Sequence, residues 1–381
     1  MTWLAALSLA VWIYLLCGRA GFWRLRVDRP AAPASGASVA VVVPARDEAA
    51  LVGDAIASLL RQDYDGPVHI FLVDDHSTDA TAAAAREAAR LAGGAARFTV
   101  IAAPSLPPGW SGKLWAVAAG LEQAYRLEPE FILLTDADVM HAPGNLAELV
   151  GRAASGGYDL VSLMVRLHCR SWAERALIPA FVFFFLKLYP PAWIRRRECR
   201  TAGAAGGCML VRASALRRIG GIAAVHSAVI DDCALAAAVK RTGGGLWLGL
   251  ADATVSTRPY GGAGEIRRMI SRTAFAQLEH SPVLLVLTLA GLFLTYLVPP
   301  LAVVAGPPAA RGLGIAAWAV MSLAYLPAVR FYKLSPLRAP LLPLIALFYA
   351  AATVESAVLY WRGAGGAWKG RTQDRKPSPK T

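Results

Sequence analysis

Three apolar runs crowd the C-terminal part of the chain: Pro282 to Ala305, Gly312 to Val329 and Ala339 to Trp361. Each comes near or exceeds the roughly 20 residues a helix needs to cross a bilayer. A fourth run, Trp3 to Cys17, extends to Trp23 across Arg19 and is just long enough for one N-terminal spanning helix over 1–23. A cleaved signal peptide competes for that segment, but no basic stretch precedes the run and the arginines follow it. Such a chain cannot fold as a wholly water-facing globule. Its 17% charged residues fall short of the roughly 25% of an average soluble domain. Its 56% hydrophobic content also excludes disorder.

The net charge is nevertheless +13, from 39 basic and 26 acidic residues. Five windows (19–29, 187–200, 258–272, 330–338 and 362–380) hold 22 of the basic residues and only four acids, a net of +18. The remainder nets −5. A nucleic-acid binder spreads its basic residues over the folded domain among aromatics; here they flank apolar runs, so no nucleic-acid partner is expected. The pattern is that of Lys and Arg on the cytoplasmic side of a membrane protein. It predicts a multi-pass protein of the inner (cytoplasmic) membrane, with the soluble part facing the cytoplasm. Three spans over 282–361 would then leave the basic tail 362–381 outside, against the same rule. Either one run is re-entrant, with Pro299-Pro300 as the suggestive break, or the count differs. A shorter run, Ala176 to Leu188, is interrupted by Lys187 and followed by Pro190-Pro191. It reads as a helix over 176–194 lying in the interface, or as a buried core helix. The five cysteines form no CxxC pair and the six histidines no HxxxH spacing, so no zinc site is expected, and the odd cysteine count fits reduced thiols.

Residues 38 to about 280 alternate strand and helix. Ser38–Val43, Val68–Val73, Phe98–Ala102 and Phe131–Thr135 read as strands, with helices over Glu48–Arg61, Asp79–Ala92 and Lys113–Tyr125 between them. The implied fold class is α/β, a mostly parallel sheet with helices on both faces, plus the apolar transmembrane helices. Ligands bind such sheets at the carboxyl ends of the strands, where this chain concentrates its polar residues.

The first strand ends in Pro44-Ala45-Arg46-Asp47-Glu48 and the second in Asp74-Asp75-His76-Ser77-Thr78-Asp79. Helix capping accounts for one of Ser77, Thr78 and Asp79, but not for Asp74 and Asp75 as well. The fourth strand ends in Asp136-Ala137-Asp138. Two carboxylates at i and i+2 share a side and suit Mg²⁺ or Mn²⁺ bridging a diphosphate. The same D-x-D could open a dehalogenase-type phosphatase, although it comes unusually late for one. Gly109 to Leu114 is too short for a Walker A loop, leaving Lys113 as a phosphate contact at a helix start or as a solvated lysine. A glycine-opened strand, Gly206 to Arg212, precedes Asp231-Asp232, which open a helix running to Thr242. Capping and a chemical role are compatible there. Arg268 and Arg272 share a helix face, either as arginines at a membrane surface or as pyrophosphate contacts.

Taken in order, Val43-Pro44-Ala45-Arg46-Asp47-Glu48, Asp74-Asp75-x-Ser77-x-Asp79, Asp136-x-Asp138 and Asp231-Asp232 resemble the family 2 glycosyltransferases of GT-A fold over roughly 38–280. The flanking apolar helices and the Trp368-Lys369-Gly370-Arg371 tail look most like the membrane-bound hopene-associated glycosyltransferases of hopanoid biosynthesis. The resemblance implies that Pro44, Arg46 and Glu48 line the nucleotide pocket and that Asp75 contacts the base. It places Asp136 on the ribose or metal, Asp138 on the metal, and Lys113, Asp231 and Arg272 in the nucleotide-sugar site, with Asp232 as catalytic base. It implies inverting, Mg²⁺- or Mn²⁺-dependent transfer from a nucleotide sugar, a UDP-sugar being the expected donor, to a membrane lipid. Two alternatives stay open, a polyprenyl-phosphate glycosyltransferase and a non-catalytic nucleotide-sugar-binding scaffold. The chain departs from the family where processive enzymes carry Q-x-x-R-W: Met269-Ile270-Ser271-Arg272-Thr273 keeps only the arginine.

Overall fold

β-branched and apolar residues in period-two alternation divide a strand between two cores, and the first strand does this. In the computed structural model, which describes residues 1–366 except 30, 33 and 35, a helix α1 (Thr2–Cys17) precedes strand β1 (Val39–Ala45). Val39, Val41 and Val43 pack into one core, with Ile70, Leu72 and Leu133; Ala40 and Val42 pack into the other, with Phe71, Val73 and Leu134. The sheet is therefore buried on both faces, as parallel strands require.

The chain continues through α2 (Val52–Leu60), β2 (Val68–Asp74), α3 (Thr81–Leu91), β3 (Phe98–Ala102), α4 (Gly112–Ala124), β4 (Phe131–Thr135), the short β5 (Val139–Met140), α5 (Asn145–Gly156) and β6 (Leu160–Arg166). Then come α6 (Trp172–Leu188), α7 (Pro191–Arg195), β7 (Cys208–Arg212), α8 (Ala213–Arg218), α9 (Asp231–Arg241), β8 (Leu246–Ser256) and α10 (Ala263–Thr273). The eight strands form one sheet in the order β3-β2-β1-β4-β7-β6-β8-β5. The half containing β3, β2, β1 and β4 is parallel throughout. Beyond it β7 runs antiparallel to both β4 and β6, β6 pairs parallel with β8, and β5 is antiparallel to β8. The sheet is mixed: its N-terminal half is wholly parallel, as expected, and β6–β8 adds a fourth parallel pairing among the seven. Gly120 lets α4 press on that half, since a Cβ there would sit 2.5 Å from Val42 Cγ1.

Residues 282–361 form α11 (Pro282–Leu292), a π-helical stretch Phe293–Leu297, α12 (Val298–Ala305), α13 (Pro308–Phe331) and α14 (Leu342–Trp361). Among the described residues four helical segments are long and apolar enough to cross a membrane: Trp172–Arg195, Pro282–Ala305, Pro308–Phe331 and Pro336–Trp361. The Pro299-Pro300 pair does not break its helix. The π-helical turn ahead of it shifts the hydrogen-bond register, and the prolines fall in the first turn of α12, where missing N–H donors cost little.

Two of these four segments are tied to the domain at both ends. The segment from Trp172 leaves β6 and returns to β7, and those strands pair in one sheet, so a single crossing would strand its far end on the wrong side. Helix α14 begins beside α6, where Tyr349 donates to the Leu177 carbonyl. It ends beside α10 and its continuation: Arg267 pairs with Glu355 at 3.3 Å, and the Phe275 N–H donates to Ser356. The N-terminal helix is 16 residues, about 24 Å, and ends at Gly18 rather than reaching Trp23. It packs on the far end of the bundle, with Ala5 against Ala302 and Ala310 and Trp12 donating to the Thr295 carbonyl at 2.7 Å. All five cysteines are free. The tail from residue 367, with Trp368 to Arg371, lies outside the described residues.

Candidate active site

The loops after β1 and β2 are laced to each other by their own acids. Asp47, in a left-handed conformation (φ 51°), donates its N–H to Ser77 Oγ at 3.0 Å and accepts from the Thr78 N–H at 2.7 Å. The bond from Thr78 holds its carboxyl below the usual range. Asp79 accepts from the N–H groups of Thr81 and Ala49, and Thr81 Oγ1 in turn accepts from the Glu48 N–H. Asp79 thus acts as a staple between loops, and the residue at the α3 cap position is Ala80. The stapling buries Asp75, 1% exposed, and brings Arg46 to it: Arg46 Nη1 donates to the Asp75 carbonyl at 2.9 Å and lies 3.6 Å from its carboxylate.

The deepest group lies between β4, α4 and α9. Ser111 caps α4 by accepting from the Leu114 N–H, which fixes Lys113 in the first turn. Its Nζ is 2.9 Å from Asp136 Oδ1 and 3.5 Å from Asp231 Oδ2. Burial opposes the lysine's charge, but those two carboxylates outweigh it and the amine stays protonated, its pKa raised. Burial, then the neighbouring Asp138, push the Asp136 carboxyl up, while Lys113 opposes them. Asp232 opens α9, accepting from the Gly206 N–H at 2.8 Å and the Cys233 N–H at 2.7 Å. A Cβ at position 206 would lie 3.3 Å from Asp232 Oδ2, so the glycine permits this approach. Burial and the charge of Asp231 push the Asp232 carboxyl up to about 6, with Lys113 opposing. Pro44, Lys113, Asp136, Gly206 and Asp231 line one small cavity here.

On the other side of Asp136 sits Arg258, which the sequence reading missed. Its Nε is 3.0 Å from Asp138 Oδ2 and its Nη2 2.5 Å from Glu48 Oε1. Ser256 donates to the same Asp138 oxygen at 3.0 Å. Asp138 and Glu48 are each 8% exposed, so the guanidinium answers two buried carboxylates at once. The end of β4 is held from behind by His141. Thr135 donates to the Gly207 carbonyl, His141 Nε2 lies 2.9 Å from that hydroxyl, and Nδ1 lies 2.9 Å from Asn145. Burial pushes the imidazole down to about 4, so it is neutral at pH 7. The structure therefore brings Pro44, Lys113, Asp136, Asp138, Asp231, Asp232 and Glu48 into one cleft, with Arg46 and Asp75 on its β2 side. Arg272 stands apart, close enough to influence the Tyr260 hydroxyl, and its Nε is buried with no described partner. Arg268 is exposed and pairs with Glu265 at 3.7 Å.

Asp136 and Asp138 suit a divalent cation. Lys113 and Arg258 each take one oxygen of a carboxylate, leaving Asp136 Oδ2 and Asp138 Oδ1 without a described partner. One or two carboxylates plus substrate phosphates are the usual set for Mg²⁺. Among the described residues no group of three or more His, Cys, Asp or Glu side chains forms a closed metal cage.

Comparison with known proteins follows this geometry. Residues 36–270 match the family described as glycosyltransferase like family 2. The mannosyltransferase PcManGT from Pyrobaculum calidifontis, solved in complex with GDP-Man and Mn²⁺, superposes with a TM-score of 0.55 at 21% identity. That superposition covers 93% of this chain and 98% of PcManGT. The uncharacterized protein MJ1222 of Methanocaldococcus jannaschii is 28% identical over 120 residues, 32% of this chain and 43% of that protein. The match thus spans less than half the length of that relative.

Proposed function

The chain belongs to the glycosyltransferase-like family 2, and from that premise we propose that it is an inverting, metal-dependent transferase moving a sugar from a nucleoside-diphosphate donor to a lipid at a membrane surface. The observation that carries the reading is the pairing of a raised carboxyl, Asp232, with a lysine held among acids at the same strand ends. A base whose pKa sits near 6 is ionised at pH 7 yet basic enough to accept a proton.

In this mechanism Asp232 takes the proton of an acceptor hydroxyl as that oxygen attacks the anomeric carbon. The bond from that carbon to the diphosphate oxygen breaks on the opposite face, and the electron pair leaves with the nucleoside diphosphate. Lys113 and Arg272 supply positive charge to the departing phosphates. Arg46 and Asp75 form the nucleotide end of the cleft, with Pro44 and Glu48 in its wall. Asp136 and Asp138 would hold Mg²⁺ or Mn²⁺, which when bound neutralises diphosphate charge. The resemblance favours a UDP-sugar donor, while PcManGT carries GDP-Man; the metal in that complex supports Mn²⁺ as a ligand here.

The ties of α14 and α6 to the domain support one topology. With α1, α11–α12 and α13 crossing an inner membrane and α14 lying against the domain, the 330–338 window and the chain at 362 stay on the domain side. The positive-inside rule is then met with the domain in the cytoplasm. The hopanoid relationship of the acceptor rests on resemblance alone. The test is to incubate the purified protein with labelled UDP- and GDP-sugars, Mn²⁺ and membranes from a deletion strain. Label should enter the lipid extract with release of nucleoside diphosphate. Neither label transfer nor release with any donor would refute the assignment.

A further inference from the structure

Asp232 is aimed by two backbone segments. One is the loop 203–207 ahead of β7, whose Gly206 N–H donates to Asp232 Oδ2 at 2.8 Å. The other is the first turn of α9, whose Cys233 N–H donates to Asp232 Oδ1 at 2.7 Å. Each bond takes one oxygen, so the plane of the carboxylate turns with the spacing between loop and helix. On its sheet side the loop is pinned by Ser162 of β6, whose Oγ accepts from the Ala205 N–H at 2.8 Å and donates to the Ala205 carbonyl at 3.1 Å.

On the other side stands Tyr189, the residue that closes α6. Its ring lies on Gly203, where a Cβ would come within 2.7 Å of the ring's Cδ1. Its hydroxyl meets the side chain of Cys233, whose Sγ also lies 3.6 Å from the Ala204 carbonyl oxygen. One side chain thus touches both segments that carry the Asp232 donors. The hydroxyl proton goes to Gln277 Oε1 at 2.6 Å. Gln277 sits in the turn Ala276–Leu278 between α10 and α11, where the chain enters its apolar helices. The backbone of Tyr189 is held as well: its N–H donates to the Phe185 carbonyl at 2.8 Å, and Pro190 restricts it from the other side.

We propose that Tyr189 is a positioning residue for the transfer step: it fixes the spacing of the Gly206 and Cys233 donors, and so the direction in which Asp232 presents its free lone pairs, while Gln277 locks Tyr189 in that pose. A carboxylate has about four lone-pair sites. The two N–H groups take two of them, and the spacing decides which of the others faces an acceptor hydroxyl. The same contacts join the base to the start of the apolar helices. The proposal rests on the transferase reading in taking Asp232 as the base.

Tyr189→Phe keeps the ring on Gly203 and removes both hydroxyl contacts. Nucleoside diphosphate release is measured on the full chain with labelled UDP- or GDP-sugar, Mn²⁺ and membranes. The kcat should fall about 10–100-fold, as for a reacting group displaced by up to 1 Å, with the donor KM nearly unchanged. The pH profile separates positioning from lost packing. Both N–H bonds hold the Asp232 carboxyl down against burial and Asp231, so loosening them should move the acid limb above 6 while Lys113 and Asp231, the charges facing it, stay as they were. Gln277→Leu should give the same signature, and the double variant should fall no further than Tyr189→Phe alone. Melting temperatures check each fold, and if Tyr189→Phe does not fold, Gln277→Leu decides on the same readouts. A kcat within three-fold of wild type, an unmoved limb or additive losses would overturn the positioning role. The pH dependence of the melting-temperature difference between each protein and its Asp232→Asn counterpart reads the same carboxyl without turnover. A wild type that releases no nucleoside diphosphate refutes the transferase reading; a midpoint of that difference unmoved by Tyr189→Phe overturns the positioning role whether or not turnover is seen.

Discussion

Replacing Asp232 by Asn leaves the shape of the cleft and removes the proposed proton acceptor. General-base catalysis contributes about 10²–10⁴ in rate, so kcat should fall by that factor, about 3–5 kcal/mol of barrier. The pH profile is the sharper readout. With its carboxyl at about 6, the wild-type rate should fall below that pH and level off above it, and the variant should lack this limb. Stability carries a second, independent signature. The folded state binds the Asp232 proton more tightly than the unfolded chain, whose value is 3.8. The group's contribution is therefore fully present below pH 4 and is lost as pH rises through 6. A shift of this size corresponds to about 3 kcal/mol at most. Asn can accept from only one of the Gly206 and Cys233 N–H groups, a cost independent of pH, so the comparison is between slopes. The wild-type minus variant melting temperature, measured in neutral detergent from pH 4 to 7, should decline with pH. Product formation is followed as labelled lipid and released nucleoside diphosphate. A variant within three-fold of wild type at pH 7.5, or one that keeps the limb near 6, would refute the assignment.

Lys113→Gln removes the cation that opposes the rise of Asp232, so the acid limb should move above pH 6; a limb at or below 6 would contradict the coupling. Arg258→Gln leaves Glu48 and Asp138 without their guanidinium and should cost about 1–3 kcal/mol of stability, seen as a melting temperature several degrees lower, whereas an unchanged one would show that both acids find other partners. For the topology, cysteines introduced at Ser335 and Arg362 should react with an impermeant thiol reagent from the cytoplasmic face, and one at Pro307 only from the opposite face. Labelling of 335 and 362 from opposite sides would mean that α14 crosses.

The strands that carry the site were legible because each is an apolar run ended by a polar cluster. Phe98–Ala102 and Phe131–Thr135 have the same bounds in the sequence reading and in the structure. The strands beyond β4 were not, apart from β7 with its glycine opening. Leu246–Ser256 mixes Gly249, Ala251 and Asp252 into its run, so neither period dominates. The helix expected from Glu48 begins only at Val52, because Asp47 takes a left-handed conformation and residues 48–51 turn. Arg258 was illegible for a different reason. It lies 120 residues from Asp138 and 210 from Glu48, and nothing in Thr257-Arg258-Pro259-Tyr260 signals which acids it meets. Glu174 did carry a local signal, the Ser171-x-x-Glu174 capping box, which the structure contains in full. What no local pattern carried was its further bond to Tyr260, which ties α6 to the cleft.

In the proposed mechanism the charge balance of the cleft makes donor and metal binding one equilibrium. Glu48, Asp136, Asp138, Asp231 and Asp232 face two resident cations, Lys113 and Arg258. With every group ionised the cleft carries three uncompensated negative charges, and like-charged neighbours add to burial in raising the carboxyls of Asp136 and Asp232. A nucleoside diphosphate adds at least two more. A divalent cation held by Asp136 and Asp138 would offset two of those charges. Linkage then requires reciprocity: Mn²⁺ must tighten donor binding by the same factor that the donor tightens Mn²⁺ binding. A coupling of about 1–3 kcal/mol, or 5–150-fold, is expected in wild type and should collapse in Asp138→Asn. Calorimetric titration of a nucleoside diphosphate with and without Mn²⁺, and of Mn²⁺ with and without the nucleotide, measures both arms. Equal nucleotide affinity after exhaustive chelation would mean that Lys113, Arg258 and Arg272 satisfy the diphosphate by themselves, and Asp136 and Asp138 would lose their role as metal ligands.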